Sequence, residues 1–314
     1  MSMQMIIILI YGAGDCHSLY YGAWGSADVV CLHYASILIY DGLTVNPSSS
    51  AKGDAMTQGN IIHPPAMAHG ELSQVLENIW FVQGSVKLPM FMPVKTSRSM
   101  TVIKNASSDE LTLVNSMRLS EEGLKKLEQL GRITNVIRLA GFHGRDDAFY
   151  QEKYHAKVYA IKGQYYSRKF EKTPLKPEDG FFQPDEWLTE YSLLPIDGAS
   201  LKIIHSSRPS EALLLLERDG GILIAGDVLQ NTAVADEYMN WMARFMMKRM
   251  GFFKPYNVGP AWLEHAKPNP EEVRSILDLQ FEHVLPAHGV AVIGNAREKY
   301  SPALLGELKG CHAT

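Results

Sequence analysis

An α/β fold of the αββα sandwich type, two packed mixed β-sheets with helices outside, is what the sequence predicts for residues 66–314. Three observations carry the prediction. Two β-rich blocks occur, one from Asn78 to Ile161 and one from Leu201 to Leu285. Helical text interrupts or follows each block, and polar loops rich in Gly, His and Asp stand where strands end. Two sheets that cover each other on one face, with helices on the other, satisfy such a pattern.

The first block opens with Asn78-Ile79-Trp80-Phe81-Val82, whose β-branched and aromatic residues predict a strand. Ser99 to Lys104 and Leu111 to Val114 predict two more, and the polar Ser107-Ser108-Asp109-Glu110 between them predicts a hairpin. Ser120 is a candidate cap for a helix that carries Leu124, Leu127 and Leu130 toward a core and closes at Gly131. Ile133 to Leu139 reads as a short buried strand, followed by the loop Ala140 to Asp147, a short helix into Tyr154 and a strand from Lys157 to Ile161. Gly163 to Asp197, rich in Lys, Pro and aromatics, shows no period that assigns an element. In the second block, Leu201 to His205, Ala212 to Glu217 and Gly221 to Ala225 read as strands, with Arg218-Asp219-Gly220-Gly221 as a tight turn. Helices are expected over Asp236 to Met250 and Pro270 to Leu279, and a last strand over Phe281 to Leu285.

Composition narrows the partners. No apolar run approaches the ~18 residues that a membrane span needs. With 30 Lys and Arg against 34 Asp and Glu, the net charge of −4 offers no basic footprint. A small molecule is therefore the expected partner, with no nucleic acid and no membrane. Three cysteines without metal-ligand spacing argue against a disulfide framework or a zinc knuckle, and favour a reducing, cytoplasmic compartment.

Residues 1–51 contain neither Lys nor Arg, yet hold Cys16 and Cys31. This composition boundary marks residues 1–65 as an amino-terminal extension, either poorly ordered or not native to the domain at 66–314, with Met56 and Met67 as alternative starts. No basic residue precedes the apolar run Met5 to Tyr11, so it is not read as a secretory signal. Gly12-Ala13-Gly14 lacks the third glycine of a dinucleotide-binding turn and is not read as one.

Three turns carry the chemistry: His143-Gly144-Arg145-Asp146-Asp147-Ala148 after one strand, Ile224-Ala225-Gly226-Asp227 at the end of another, and Leu285-Pro286-Ala287-His288-Gly289 at the last. In order and spacing, over residues 77–300, they resemble the metallo-β-lactamase-fold hydrolase superfamily. There the first turn reads His-x-His-x-Asp-His, the second ends in Gly-Asp and the third is Pro-x-His-Gly-like. The resemblance implies a metallo-β-lactamase-like αββα fold and a metal-dependent hydrolase, because imidazole and carboxylate ligands converging from strand ends suit zinc with a position left open for water.

Residue by residue, the resemblance implies His143, Asp147, Asp227 and His288 as metal ligands, with Asp147 and Asp227 as the catalytic carboxylates. Arg145 stands at the second histidine position, Ala148 at the last, and Ser207 where a middle histidine is usual, with His205 two residues earlier. An alternative register puts Asp146 and Asp147 at the aspartate and last positions and leaves Phe142 and Gly144 at the histidine places, with fewer ligands still. A guanidinium keeps its proton, so Arg145 is expected to pair with Asp147 or Asp227 rather than bind metal. The expected cofactor is one zinc, manganese or iron ion, with no metal as the alternative. His265 and His283 read as surface or packing residues. The helix holding Met239, Trp241, Met242, Phe245, Met246, Met247 and Met250 reads as a core or lid face beside the Asp227 loop.

Two functions follow. One is a hydrolase homologue with a degenerate metal site that cleaves a small ester, thioester, lactone or amide through a metal-activated water. The alternative is a non-catalytic protein in which Arg145 holds an anionic small molecule. Metal content discriminates between them.

Overall fold

A computed structural model describes residues 63–88, 93–162, 183–306 and 308. The Gly12-Ala13-Gly14 run, Cys16, Cys31 and all but the last three residues of the expected extension lie outside the described residues, as do 163–182 of the middle region.

The first sheet follows chain order: β1 (Ser73–Leu76), β2 (Ile79–Lys87), β3 (Lys95–Lys104), β4 (Glu110–Val114), β5 (Arg132–Arg138), β6 (Lys157–Ile161) and β7 (Glu186–Leu188). Its first three pairings are antiparallel, including the expected hairpin of β3 and β4. From β4 to β7 the pairings are parallel; α1 (Glu121–Leu130) carries the chain back between β4 and β5, and α2 (Asp147–Tyr154) between β5 and β6. Ser120 caps α1 as expected, its hydroxyl accepting from Gly123 N at 3.2 Å. The second sheet has β8 (Ala199–Ile203), β9 (Ala212–Leu216), β10 (Ile222–Ala225) and β13 (His283–Pro286), in the order β13-β10-β9-β8. The pairing of β10 with β13 is parallel and the others are antiparallel. A small ribbon pairs β11 (Leu229–Thr232) with β12 (Lys254–Val258).

Alternation along the strands separates three apolar layers. Phe81, Ile103, Ile137 and Leu139 of the first block meet Leu214, Leu216, Ile222, Ile224 and Leu285 of the second, which is the contact between the sheets. The opposite face of the first sheet, with Val102, Leu113, Val136 and Val158, packs on Leu124 and Leu127 of α1 and on Phe149 and Tyr150 of α2. The outer face of the second sheet, with Leu213, Leu223 and Val284, packs on α4 (Pro260–Ala266), α5 (Pro270–Arg274) and α6 (Ala296–Leu305). The order helix, sheet, sheet, helix is the αββα sandwich expected from the sequence. Burial of each such Leu, Ile or Phe side chain contributes ~1.5–3 kcal/mol.

Several boundaries differ from expectation for local reasons. The helix expected from Asp236 begins instead at α3 (Trp241–Arg249), because Asn240 is extended and its side chain caps Ala243 N at 3.0 Å. The helix expected over Pro270 to Leu279 stops at Arg274 and continues as a 3-10 turn, Ser275–Asp278. Not expected at all were β1, β7, β11, β12, α4 and α6. The last presents Ala296, Tyr300 and Leu304 to the core at four-residue spacing despite its internal Pro302. Among the described residues no helix is long and apolar enough to cross a membrane.

The two sheets are also joined by polar bonds at one edge. Asn115, buried at the end of β4, donates from Nδ2 to Ala225 O at 3.1 Å and accepts from Leu139 N at 3.3 Å. Its φ of 55° lies in the left-handed region that asparagine tolerates better than most residues. Asn115→Gly keeps that backbone option and removes both bonds; Ala225 O retains its bond from Ala287 N, while the buried Leu139 N is left unpaired at ~1–3 kcal/mol. Urea unfolding is expected to show that loss, and a wild-type midpoint would show that the bonds do not hold the sheets together.

Candidate functional site

Three expected site residues meet at the strand ends beside Asn115. His143 lies in the loop after β5, Asp227 two residues beyond β10, and His288 two residues beyond β13, with Ala225 opposite Pro286 in the parallel pair. His288 Nε2 is 3.0 Å from Asp227 Oδ1, and His143 Nε2 is 3.4 Å from Asp227 Oδ2. The two imidazoles meet edge to face with centroids 5.5 Å apart. One nitrogen from each ring and one carboxylate oxygen all lie within 4.8 Å of one another.

Backbone and second-layer bonds fix these three side chains. The His143 loop is laid on the second sheet by Gly141 N to Ser210 O at 2.7 Å and by Ala212 N to Leu139 O at 2.9 Å. The His288 turn is held by β3: Ser99 N donates to Ala287 O at 2.7 Å, and the Ser99 hydroxyl donates to Gly289 O at 3.1 Å. His288 Nδ1 donates to Ser97 O at 3.0 Å, which turns Nε2 toward Asp227. Glu211, fully buried, accepts from Asp227 N at 2.7 Å and Val228 N at 3.0 Å through Oε1. A Cβ at Gly226 would stand 2.6 Å from Ala140 Cβ and 2.7 Å from that Glu211 oxygen, so this motif position has room only for glycine.

The electrostatics favour a charged centre. Burial alone would push the Asp227 carboxyl up, but the attraction and hydrogen bonding of His143 and His288 outweigh it and hold the group well below the usual carboxylate range. Burial would likewise lower His288, and its bond to Asp227 reverses the direction and raises it. Glu211 goes the other way: burial, reinforced by the neighbouring Asp227 charge, raises it well above an ordinary glutamate.

Asp147 does not join the cluster. Its Oδ2 accepts from Arg138 Nε and its Oδ1 from the Ser116 hydroxyl, at 2.7 and 2.6 Å, with both members of the ion pair almost wholly buried. The expected pairing of Arg145 with Asp147 or Asp227 is also corrected. Arg145 Nη1 binds Asp146 Oδ1 at 2.7 Å and Nη2 donates to Pro65 O at 3.0 Å. The other oxygen of Asp146 takes Arg98 and Arg118 N. Gly144 makes room for this arrangement: its φ is 104°, and a Cβ there would lie 2.2 Å from Arg138 Nε.

Ser207, at the middle-histidine place, is buried, donating its hydroxyl to Pro209 O at 2.5 Å and accepting from Trp262 Nε1 at 3.1 Å. His205 turns away to Glu190. His283 accepts from Gly294 N and contacts Asp219 O, a packing role as expected. His265 meets the Phe142 ring edge to face. Reasoning from sequence missed Arg98, Arg138 and Glu211; a charge inside an apolar strand was the available signal, most plainly Arg138 closing the run that begins at Ile133. Cavities of about 250 Å³ beside His69 and Ser120 and about 310 Å³ beside Arg132 and Tyr154 contain none of the three site residues.

Fold and site together define the class, an αββα sandwich with a His, Asp, His cluster at the strand ends. Solved structures similar to the chain include VMB-1, at 15% identity over 75% of this chain and 96% of that one, with a TM-score of 0.48. The DIM-1 metallo-β-lactamase exposed to ceftazidime is similar at 13% identity over 77% and 97%, with a TM-score of 0.47. The metallo-β-lactamase FIM-1 from Pseudomonas aeruginosa, in a mono-zinc form, is similar at 11% identity over 77% and 97%, with a TM-score of 0.48. No protein-family model matches the chain, and no curated protein matches it. The architecture rests on the packing described above.

The ion pair of Arg138 and Asp147 yields a stability test. Arg138→Met leaves a buried carboxylate without its cation, an effect of ~3–5 kcal/mol. Adding Asp147→Asn is expected to recover a large part of the loss in denaturant unfolding. Equal stability of wild type and Arg138→Met would show that the pair is not coupled.

Proposed function

We propose that the chain is a hydrolase with a mononuclear metal site formed by His143, Asp227 and His288. The observation that carries this reading is their convergence: the buried Asp227 carboxylate meets His288 Nε2 through Oδ1 and His143 Nε2 through Oδ2, with one nitrogen of each ring and one carboxylate oxygen within 4.8 Å of one another. Two imidazole nitrogens and a carboxylate oxygen make an accepted three-ligand catalytic set that leaves a coordination position open.

The same residues do not fit a second ion. Asp147 is taken by Arg138 and Ser116, Arg145 stands at a histidine place and binds Asp146, and Ser207 is engaged with Trp262. One zinc, manganese or iron ion is therefore proposed, with a small ester, thioester, lactone or amide as substrate and a cytoplasmic setting. A divalent ion there would supply Lewis acidity to a carbonyl and bring a water's acidity toward neutrality.

The protein's own part is positional. Ser97 holds the His288 tautomer that presents Nε2, Glu211 fixes the main chain of Asp227, and the loop laid across Ser210 and Leu139 presents His143. The alternative, an anionic ligand held by Arg145, draws less support because Nη1 and Nη2 of that residue already bind Asp146 and Pro65.

Elemental analysis of protein purified without a metal-affinity tag and then soaked in zinc, manganese or iron tests the proposal. One ion per chain is expected, lost in Asp227→Ala, His288→Ala and retained in Arg138→Met, Asp147→Asn. Two ions per chain, or equal metal content in the Asp227 and His288 variant, would overturn the site. With the ion in place, hydrolysis across a panel of esters, thioesters, lactones and amides is expected, and its absence would leave a metal-binding protein without this activity.

A further inference from the structure

The helix α3 carries a face that neither the core nor the candidate centre uses. Met242 and Ala243 are buried against Val94 and Met239, with Met246 and Met247 packed beside them. The opposite side presents Trp241, 73% exposed, and Phe245, 67% exposed, one helical turn apart. Arg244, Lys248 and Arg249 are exposed around this pair, with Met250 at the end of the helix and Lys254 just beyond. No acidic residue occurs from Trp241 to Arg249; the nearest, Asp236 and Glu237, lie on the preceding turn, where Asp236 already accepts from Tyr238 N.

This face is held outward. Asn240 Oδ1 accepts from Lys95 N at 3.3 Å, Asn240 N donates to Lys95 O at 3.1 Å, and Asn240 Nδ2 donates to Pro93 O at 2.5 Å. Thr96 donates to Met247 Sδ at 3.4 Å on the inner side. With both helix entry and inner face fixed on the start of β3, the two aromatic rings remain toward solvent.

We propose that this face of α3 docks on an anionic lipid surface. Aromatic side chains at the centre of a helix face, ringed by Lys and Arg, match the layering of a bilayer interface, where rings enter the boundary region and cations meet anionic headgroups. A second copy of the chain matches less well, since a two-fold contact through this face would set its cations against the same cations. The sequence expectation of no membrane partner rested on the lack of a long apolar run and on a net charge of −4; the helical period nevertheless gathers separated cations and aromatics onto one side. The proposal is independent of the metal site.

Sedimentation of the full chain with vesicles tests it, comparing phosphatidylcholine alone with phosphatidylcholine mixed with phosphatidylglycerol. Binding is expected only to the mixed vesicles, weakening as salt rises. Lys248→Glu, Arg249→Glu is expected to reduce it about tenfold or more, and Trp241→Ala, Phe245→Ala to reduce it comparably, with unchanged urea unfolding showing that both variants fold. Equal binding to both vesicle types, no binding, or indifference to the two variants overturns the proposal. A concentration-dependent dimer that Trp241→Ala, Phe245→Ala abolishes would assign the face to a second copy and overturn it equally.

Discussion

Asp146 and Asp147 are adjacent carboxylates buried at the start of α2, and the demand that each be compensated shapes much of the site around them. An uncompensated buried ion costs several kcal/mol even after the protein relaxes. Here the compensation is guanidinium. Arg98 and Arg145 meet Asp146, and Arg138 meets Asp147 with the Ser116 hydroxyl. Once guanidinium groups hold these oxygens, a dication in the same place would have to displace a cation and its hydrogen bonds. On the proposed reading, the count of ions that the centre suits is set one layer away from it.

The same pairs govern the shape of the loop. Arg138 occupies the space that a side chain at residue 144 would need, so the chain passes there as glycine, and His143 is set against Asp227 rather than with Asp147. From the other side Glu211 holds the turn of Asp227, while Ser97 and Ser99 hold that of His288. These bonds come from both sheets, so the three side chains keep their mutual positions only as long as the sandwich stays closed. A centre assembled from several strand ends gains its geometry from such supporting bonds as much as from its ligands.

The parts of this arrangement that were legible in the sequence are those written locally. Gly226-Asp227 and Pro286-Ala287-His288-Gly289 announce strand ends, and the two β-rich blocks announce two sheets. Convergence of His143 with Asp227 and His288 followed from the resemblance of the three turns. Asp147 was assigned to the centre because spacing along the loop cannot show that Arg138, nine residues earlier, takes its carboxylate. Arg98 and Asp146 are separated by 48 positions, and Ser97 and His288 by 191, so neither pairing leaves a periodic trace. Helix α6 was hidden for a different reason: its apolar face is carried by widely spaced Ala296, Tyr300 and Leu304, and it contains Pro302.

Strand β3 links the separate parts. Side chains alternate between its faces, so Ser99 reaches the His288 turn while its neighbour Arg98 reaches Asp146. Ser97 O fixes the His288 tautomer, and two residues before it Lys95 grips the cap of α3. One strand therefore carries bonds to the candidate centre, to the guanidinium and carboxylate cluster and to the helix with the exposed aromatic face. A load on α3 would be borne by the same backbone that orients His288, because Lys95, Thr96 and Ser97 are consecutive. That continuity puts the support of the outer helix and of the His288 turn on one stretch of backbone, so a distortion of β3 at Lys95 to Ser97 would disturb both.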